Sequence, residues 1–235
     1  MRWGVIVFPG SCDEQDVFDA LKREMGQKVK LLWHKDQLAG RYDCLVLPGG
    51  FSYGDYLRCG AMARFSPIMR DVVQFAQSGG YVLGICNGFQ ILCEAGLLPG
   101  ALVRNSGLQF VCQQVSLRVE ETDTPFTATV KKGQLLKIPI KHGEGCYYAD
   151  SVTLEHLRQK RQVLLRYVDA KGKASFAGNP NGSVDNIAGV CNETRNVVGL
   201  MPHPEDACSR LLGSEDGLKI FSSIADACAQ RGKTP

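Results

Sequence analysis

The 235-residue sequence holds 10 cysteines, yet no two stand in the Cys-x-x-Cys spacing of a zinc or redox site. They are spread along the chain, at 12, 44, 59, 86, 93, 112, 146, 191, 208 and 228. This pattern predicts free thiols in a reducing, cytoplasmic compartment and no metal site. Cys44, Cys93 and Cys228 lie in apolar segments and read as small buried hydrophobes. Charge of one sign is missing too. The 27 basic and 24 acidic residues leave a net +3, with no basic run to follow a phosphate backbone. A dedicated nucleic-acid binder is excluded. No apolar stretch approaches the ~20 residues that span a bilayer, so no membrane partner is expected. The opening run from Met1 to Phe8 is too short for a secretory leader. Gly-x-Gly-x-x-Gly is also absent. Gly49-Gly50-Phe51-Ser52-Tyr53-Gly54 begins like a phosphate loop, but Asp55-Tyr56 follow where Lys and Ser or Thr are required. The chain therefore shows no nucleotide site of its own.

What is present is strand–helix alternation. Val5–Phe8, Lys28–Trp33, Cys44–Leu47 and Tyr81–Ile85 are short apolar runs of the kind that form buried strands. Between them, Ser11-Cys12-Asp13-Glu14 has capping-box spacing before a helix, and a second helix is predicted over Ala63–Gln77. A third begins at Cys86 and ends near Gly96. This order implies an α/β fold with a mostly parallel central sheet flanked by helices. The second half adds strands at Phe110–Val119, Leu135–Ile140, Val163–Val168, Ile187–Val190 and Val197–Met201, some expected to be antiparallel, whereas the strand before His203 is expected to lie parallel beside that of Cys86. Asn181-Gly182 signals a hairpin turn, and Gly217–Gln230 a final helix. No repeat, low-complexity tract or linker divides the chain, so residues 1–235 are expected to form a single domain.

Among the ten thiols, Cys86 has a special setting. It follows the strand Tyr81–Ile85, precedes the helical run Gly88-Phe89-Gln90-Ile91-Leu92, and has glycines two residues to either side. That is the nucleophile elbow, with sulfur in place of a serine oxygen. A strand that reverses sharply into a helix strains its corner residue, and side chains at the flanking positions would collide. The corner side chain emerges at the carboxyl end of the strand, where open α/β sheets bind ligands. The free N–H groups of the new helix favour negative charge there, and that of Asn87 is placed to receive an oxyanion. Gly50, in the loop after Cys44–Leu47, is the candidate for a second oxyanion N–H.

A thiol nucleophile needs a base held by a third group. The chain has four histidines. His34, beside Lys35-Asp36, and His156, in a polar stretch, read as surface residues. His203 stands just past the apolar run Val197–Met201, and Pro204 keeps it out of the helical region. Extended, it shares a face with Glu205, which can then hold one ring nitrogen. His142-Gly143-Glu144 is a rival pair without the proline. Those two side chains are expected at most to contact substrate or an interface, with a loop hydrogen-bond network as the alternative.

Gly84-Ile85-Cys86-Asn87-Gly88-Phe89-Gln90 with Met201-Pro202-His203-Pro204-Glu205 resembles the triad (class I) glutamine amidotransferases. Pro48-Gly49-Gly50-Phe51-Ser52-Tyr53-Gly54-Asp55, Arg104-Asn105, Ile138-Pro139-Ile140-Lys141-His142-Gly143-Glu144-Gly145 and Asn179-Pro180-Asn181-Gly182-Ser183 extend the likeness along nearly the whole chain. They point to the branch that forms the glutaminase subunit of phosphoribosylformylglycinamidine synthase, in purine synthesis. The resemblance implies a flavodoxin-like fold and a Cys86–His203–Glu205 triad. It further implies an oxyanion site at the N–H groups of Gly50 and Asn87, with Gln90 helping to hold glutamine. It implies no cofactor in this chain. ATP and magnesium would belong to a large synthetase subunit, joined through a small bridging subunit. Cys146, Asp206 and Arg195 depart from the family pattern. Two other readings remain open: another elbow thiol hydrolase (a γ-glutamyl hydrolase or an intracellular-peptidase-like protein), or a regulatory subunit that keeps the fold without the chemistry.

Overall fold

Eleven strands and five helices organise residues 1–231, which the computed structural model describes. The first four strands are β1 (Arg2–Val7), β2 (Lys28–Trp33), β3 (Cys44–Leu47) and β4 (Tyr81–Ile85). The next four are β5 (Ala101–Val103), β6 (Val111–Val119), β7 (Leu135–His142) and β8 (Cys146–Tyr148). Last come β9 (Val163–Val168), β10 (Ile187–Cys191) and β11 (Val197–Leu200). The helices are α1 (Glu14–Asp19), α2 (Pro67–Gln77), α3 (Asn87–Glu94), α4 (Ser151–Gln159) and α5 (Asp216–Arg231).

Nine strands form one sheet in the order β2-β1-β3-β4-β11-β10-β9-β6-β7. From β2 to β11 the neighbours are parallel, and from β11 to β7 they are antiparallel. The antiparallel strands thus continue the parallel sheet instead of forming a separate layer. Their sequences differ accordingly. Every residue of β3 and β4 is buried, as expected of strands covered on both faces, whereas β7 alternates. β5 and β8 pair as a small second sheet. Trp3 of β1 meets Phe221 of α5 edge-on at 6.1 Å, and Phe89 of α3 stacks on Tyr147 of β8 at 5.9 Å. Both contacts join helices to strands through large buried rings.

Four local expectations are corrected. The helix predicted over 63–77 is broken at Ser66, which is extended (ψ 141°) because Pro67 excludes the helical region behind it; α2 then starts at Pro67. The capping box at Ser11 is not used. Ser11 Oγ accepts instead from the N–H of Phe8 at 3.0 Å, and Asp13 occupies the N-cap of α1 with no capping bond from its side chain. Asn181-Gly182 makes no hairpin: the buried Asn181 amide donates to Gly145 O at 2.8 Å and to the His142 ring. His34 is not a surface residue. It is buried against Trp33, and Tyr53 Oη lies 2.8 Å from its Nδ1, pinning the 51–55 loop.

Of the departures from the family pattern, Arg195 has a structural reason. It adopts a left-handed φ of +60°, which explains why glycine suits the position, and its guanidinium bonds to Lys160 O at 2.9 Å, just past α4.

One very close approach in the fold is between α3 and β3. A Cβ at Gly88 would lie 1.9 Å from the carbonyl oxygen of Leu47. Gly88→Ala is therefore expected to lower the unfolding free energy by at least about 1 kcal/mol through forced separation of helix and strand. Urea denaturation measures this, and an unchanged midpoint would contradict the packing described.

Candidate active site

β4 passes into α3 at Cys86 with φ +49° and ψ −105°, a conformation that costs a non-glycine residue roughly 1–3 kcal/mol. Two bonds over-determine the corner. The Cys86 N–H donates to Leu200 O at 2.8 Å, and its carbonyl accepts from the Gln90 N–H at 3.2 Å. The flanking glycines are needed sterically. A Cβ at Gly84 would come within 2.7 Å of the Gly88 backbone, and the Gly88 position is closed by Leu47. Cys86 therefore ends up at the carboxyl edge of the sheet, on the floor of a cleft of about 490 Å³.

β11 runs parallel to β4 and places His203 just beyond its end. The His203 N–H donates to Pro139 O at 2.9 Å, and its Nδ1 donates to Glu205 Oε1 at 2.7 Å. Both side chains are fully buried behind the cleft. The pairing arises differently from the predicted i, i+2 extended register. His203 is extended (φ −104°, ψ 90°), but Pro204 opens a 3-10 turn over Pro204–Ala207 that swings Glu205 back onto the ring. Burial opposes charge on the His203 imidazole, but the negative charges of Glu205 and Cys86 outweigh it and hold the ring's pKa well above its ordinary value. Burial raises the pKa of Glu205, and the imidazolium works against that rise. Nε2 of His203 has no nitrogen or oxygen partner among the described residues.

On the other side of β4, parallel β3 leads into Gly49-Gly50. Gly50 has φ +134°, and a Cβ there would meet Gly10 O at 2.6 Å. The loop is tied down by the Cys12 N–H to Gly49 O (3.2 Å) and the Phe51 N–H to Gly10 O (2.9 Å), bonds that leave the Gly50 N–H out. Asn87 and Gln90 form a relay into the same region. Asn87 Oδ1 accepts from the Ser52 N–H at 3.2 Å, its Nδ2 donates to Gln90 Oε1 at 2.8 Å, and Gln90 Nε2 donates to Glu144 O at 2.6 Å. Gln90 lines the cleft, yet its amide already bonds at both ends.

His142 and Glu144 both line the cleft, with Gly143 between them. Asn181 Nδ2 lies 3.0 Å from His142 Nε2. Burial, with the nearby His203 charge, lowers the His142 pKa to about 3, so the ring is neutral. Glu144 accepts from the Cys59 thiol at 3.1 Å and faces Arg104 at 3.7 Å. His156 is on the surface, 2.9 Å from Glu193.

Sequence patterns did not single out Asp13, Lys141, Asp55 or Cys59 as site residues, yet all four line the cleft. Lys141 Nζ lies 2.8 Å from both Asp13 Oδ1 and Asp206 Oδ2. Their available signal was position: Asp13 follows β1 at the ligand-binding edge of the sheet. Asp13, His203 and Glu205 have ligand-type atoms within 4.8 Å of one another. The chemistry does not suit a metal, because Nδ1 is committed to Glu205 and the Lys141 ammonium already neutralises Asp13.

Fold and cleft together are those of an α/β amidotransferase. Residues 1–216 match the family model of the CobB/CobQ-like glutamine amidotransferase domain, and the chain belongs to this family. It is 58% identical over 226 residues to phosphoribosylformylglycinamidine synthase subunit PurQ of Moorella thermoacetica, covering 96% of each chain. To the subunit of the same name from Salinibacter ruber it is 55% identical over 223 residues, 95% of each. The solved structure of PurLQS from Thermotoga maritima contains a chain that superposes with a TM-score of 0.84 at 45% identity, covering 96% of this chain and 98% of that one. Within the family, the chain's branch is that of these phosphoribosylformylglycinamidine synthase subunits. No helix among the described residues is long and apolar enough to cross a membrane.

Neutral His142 has a consequence for stability. The unfolded chain binds this proton near pH 6.5, whereas the fold refuses it down to about pH 3, so stability falls as pH drops below about 6.5. His142→Asn is expected to flatten that slope by about 1.4 kcal/mol per pH unit between roughly pH 6 and 4. Denaturation of both proteins across that range tests it, and parallel stability curves would contradict the assignment.

Proposed function

We propose that the chain hydrolyses glutamine to glutamate and ammonia through a Cys86 thioester. The ammonia passes to an ATP-dependent synthetase subunit, which converts formylglycinamide ribonucleotide to the amidine. The observation that carries this is the strained corner that holds Cys86 at the cleft floor, with His203 clamped by Glu205 behind it. Cys86 Sγ attacks the side-chain carbonyl carbon of glutamine. The N–H groups of Gly50 and Asn87 receive the oxyanion, which develops where no bulk solvent has to reorganise. Imidazolium His203 gives its proton to the departing nitrogen as the C–N bond breaks, leaving a γ-glutamyl thioester and neutral ammonia. His203, now neutral, takes a proton from water as the oxygen attacks the thioester. Glutamate leaves, and sulfur and imidazolium are restored. Glu205 stabilises the charged ring and fixes its orientation.

The Asn87–Gln90–Glu144 relay fixes the cleft wall, so Gln90 acts on substrate by holding that wall as well as by contact. Arg104 and Glu144 offer opposite charges to the two ends of an amino acid's backbone. ATP and magnesium are assigned to the large synthetase partner, with a small bridging subunit between the two. The chain itself needs no cofactor and works in the cytoplasm. The free thiols and the names of its relatives support that placement.

With the synthetase present, Cys86→Ala is expected to abolish ammonia release from glutamine. His203→Ala is expected to slow it by about 10²–10⁴-fold. Ammonia release by Cys86→Ala at the wild-type rate would rule the mechanism out.

A further inference from the structure

Behind the His203–Glu205 pair lies a second charge arrangement that the steps above do not use. Asp13 sits in the loop between β1 and α1 and is buried. Its Oδ2 lies 3.6 Å from His203 Nδ1, on the side of the ring that Glu205 holds at 2.7 Å. Its Oδ1 lies 2.8 Å from Lys141 Nζ, and the same ammonium lies 2.8 Å from Asp206 Oδ2.

Two further features fit a specific purpose for this carboxylate. The carboxylate of an N-cap aspartate ordinarily accepts from the first turn, and that of Asp13 makes no such bond. In addition, a Cβ at Gly49 would lie 2.2 Å from Asp13 Oδ2 and 2.7 Å from His203 Cε1. Only glycine at 49 lets carboxylate and imidazole come this close. The glycine pair after β3 thus serves two neighbours, Gly50 toward the oxyanion and Gly49 toward Asp13.

We propose that Asp13 is a positioning residue for the reaction. It is a second carboxylate on the Nδ1 side of His203, held at its distance by Lys141, which it shares with Asp206; the trio sets the pH range over which His203 keeps its proton. The inference rests on the Cys86–His203 chemistry proposed above. The groups facing His203 are Glu205 and Asp206 on its own segment, Cys86 at the β4–α3 corner, and Asp13 from the β1–α1 loop. Neutral His142 faces it from β7, Lys141 of the same strand reaches it through Asp13, and Asp16 of α1 stands beyond Asp13. The trio carries one net negative charge. Loss of Asp13 makes it neutral, whereas loss of Lys141 makes it doubly negative. The two changes therefore act on the imidazolium with opposite sign, which a general loosening of the fold in both variants would not do.

The test uses Asp13→Asn and Lys141→Met. In the chain assembled with its synthetase, the alkaline limb of kcat/KM for glutamine is expected to fall by roughly one pH unit in Asp13→Asn and to rise in Lys141→Met. NMR titration of the His203 imidazole in the full chain alone is expected to show the same opposed shifts. Asp206→Asn, which removes a more distant charge, gives a smaller shift in the direction of Asp13→Asn, and Lys141→Gln replaces Lys141→Met if that variant does not fold. Shifts of the same sign in Asp13→Asn and Lys141→Met, or no shift in Asp13→Asn, overturn the inference. Failure of the glutaminase mechanism is seen separately, as ammonia release that survives Cys86→Ala whatever the titration of His203.

Discussion

At Cys86 the chain leaves β4 and enters α3 through a turn that no ordinary side chain adopts at ease, and the helix starts so near β3 that only hydrogen fits at Gly88. Strain of this kind persists only where the surroundings enforce it. Here the enforcement comes from parallel neighbours on both sides. β3 packs its Leu47 carbonyl against Gly88, and β11 binds the corner N–H through Leu200. The same two strands then deliver the rest of the site. β3 continues into Gly49-Gly50 and β11 into His203. The proposed nucleophile, oxyanion loop and base thus stand at the ends of three adjacent parallel strands, and their spacing is that of the sheet.

The antiparallel half has a different role. β7 ends in Lys141 and His142, and its Pro139 carbonyl binds the His203 N–H, so one strand both lines the cleft and anchors the buried imidazole. Electrostatics complete the arrangement. A buried imidazole would ordinarily lose its proton, and here the carboxylate of Glu205 and the sulfur of Cys86 reverse that tendency. His142, equally buried but supplied only with an amide, goes the other way and stays neutral. Two buried histidines of one sheet, His142 at the end of β7 and His203 just past β11, thus carry opposite protonation states because one has anionic partners and the other does not.

How much of this was legible in the sequence depended on the range of the interaction. Local patterns revealed β2, β3, β4 and β9 to the residue, and glycine spacing with strand–helix context singled out Cys86. The His203–Glu205 pair was legible because proline restricts its neighbour, although the geometry comes from a 3-10 turn and not from an extended chain. Contacts between distant segments were not legible. Asp13 read as part of a capping box, yet it pairs with Lys141, 128 residues away. Asn181 read as a hairpin residue, yet its amide serves a histidine 39 residues earlier. His34 read as polar surface because its burial depends on Tyr53 and on the loop that tyrosine anchors. In each case a tertiary partner overrode a local preference.

The central claim is that acyl transfer passes through the sulfur at this strained corner and through no other of the ten thiols. The most direct measurement is an acid quench of the assembled enzyme during steady turnover of isotopically labelled glutamine, followed by peptide mapping. A γ-glutamyl group on the peptide that contains Cys86, chased away when unlabelled substrate is added, is the predicted result. Label on the Cys12 or Cys59 peptide, or turnover with no cysteine labelled at any quench time, would contradict the account.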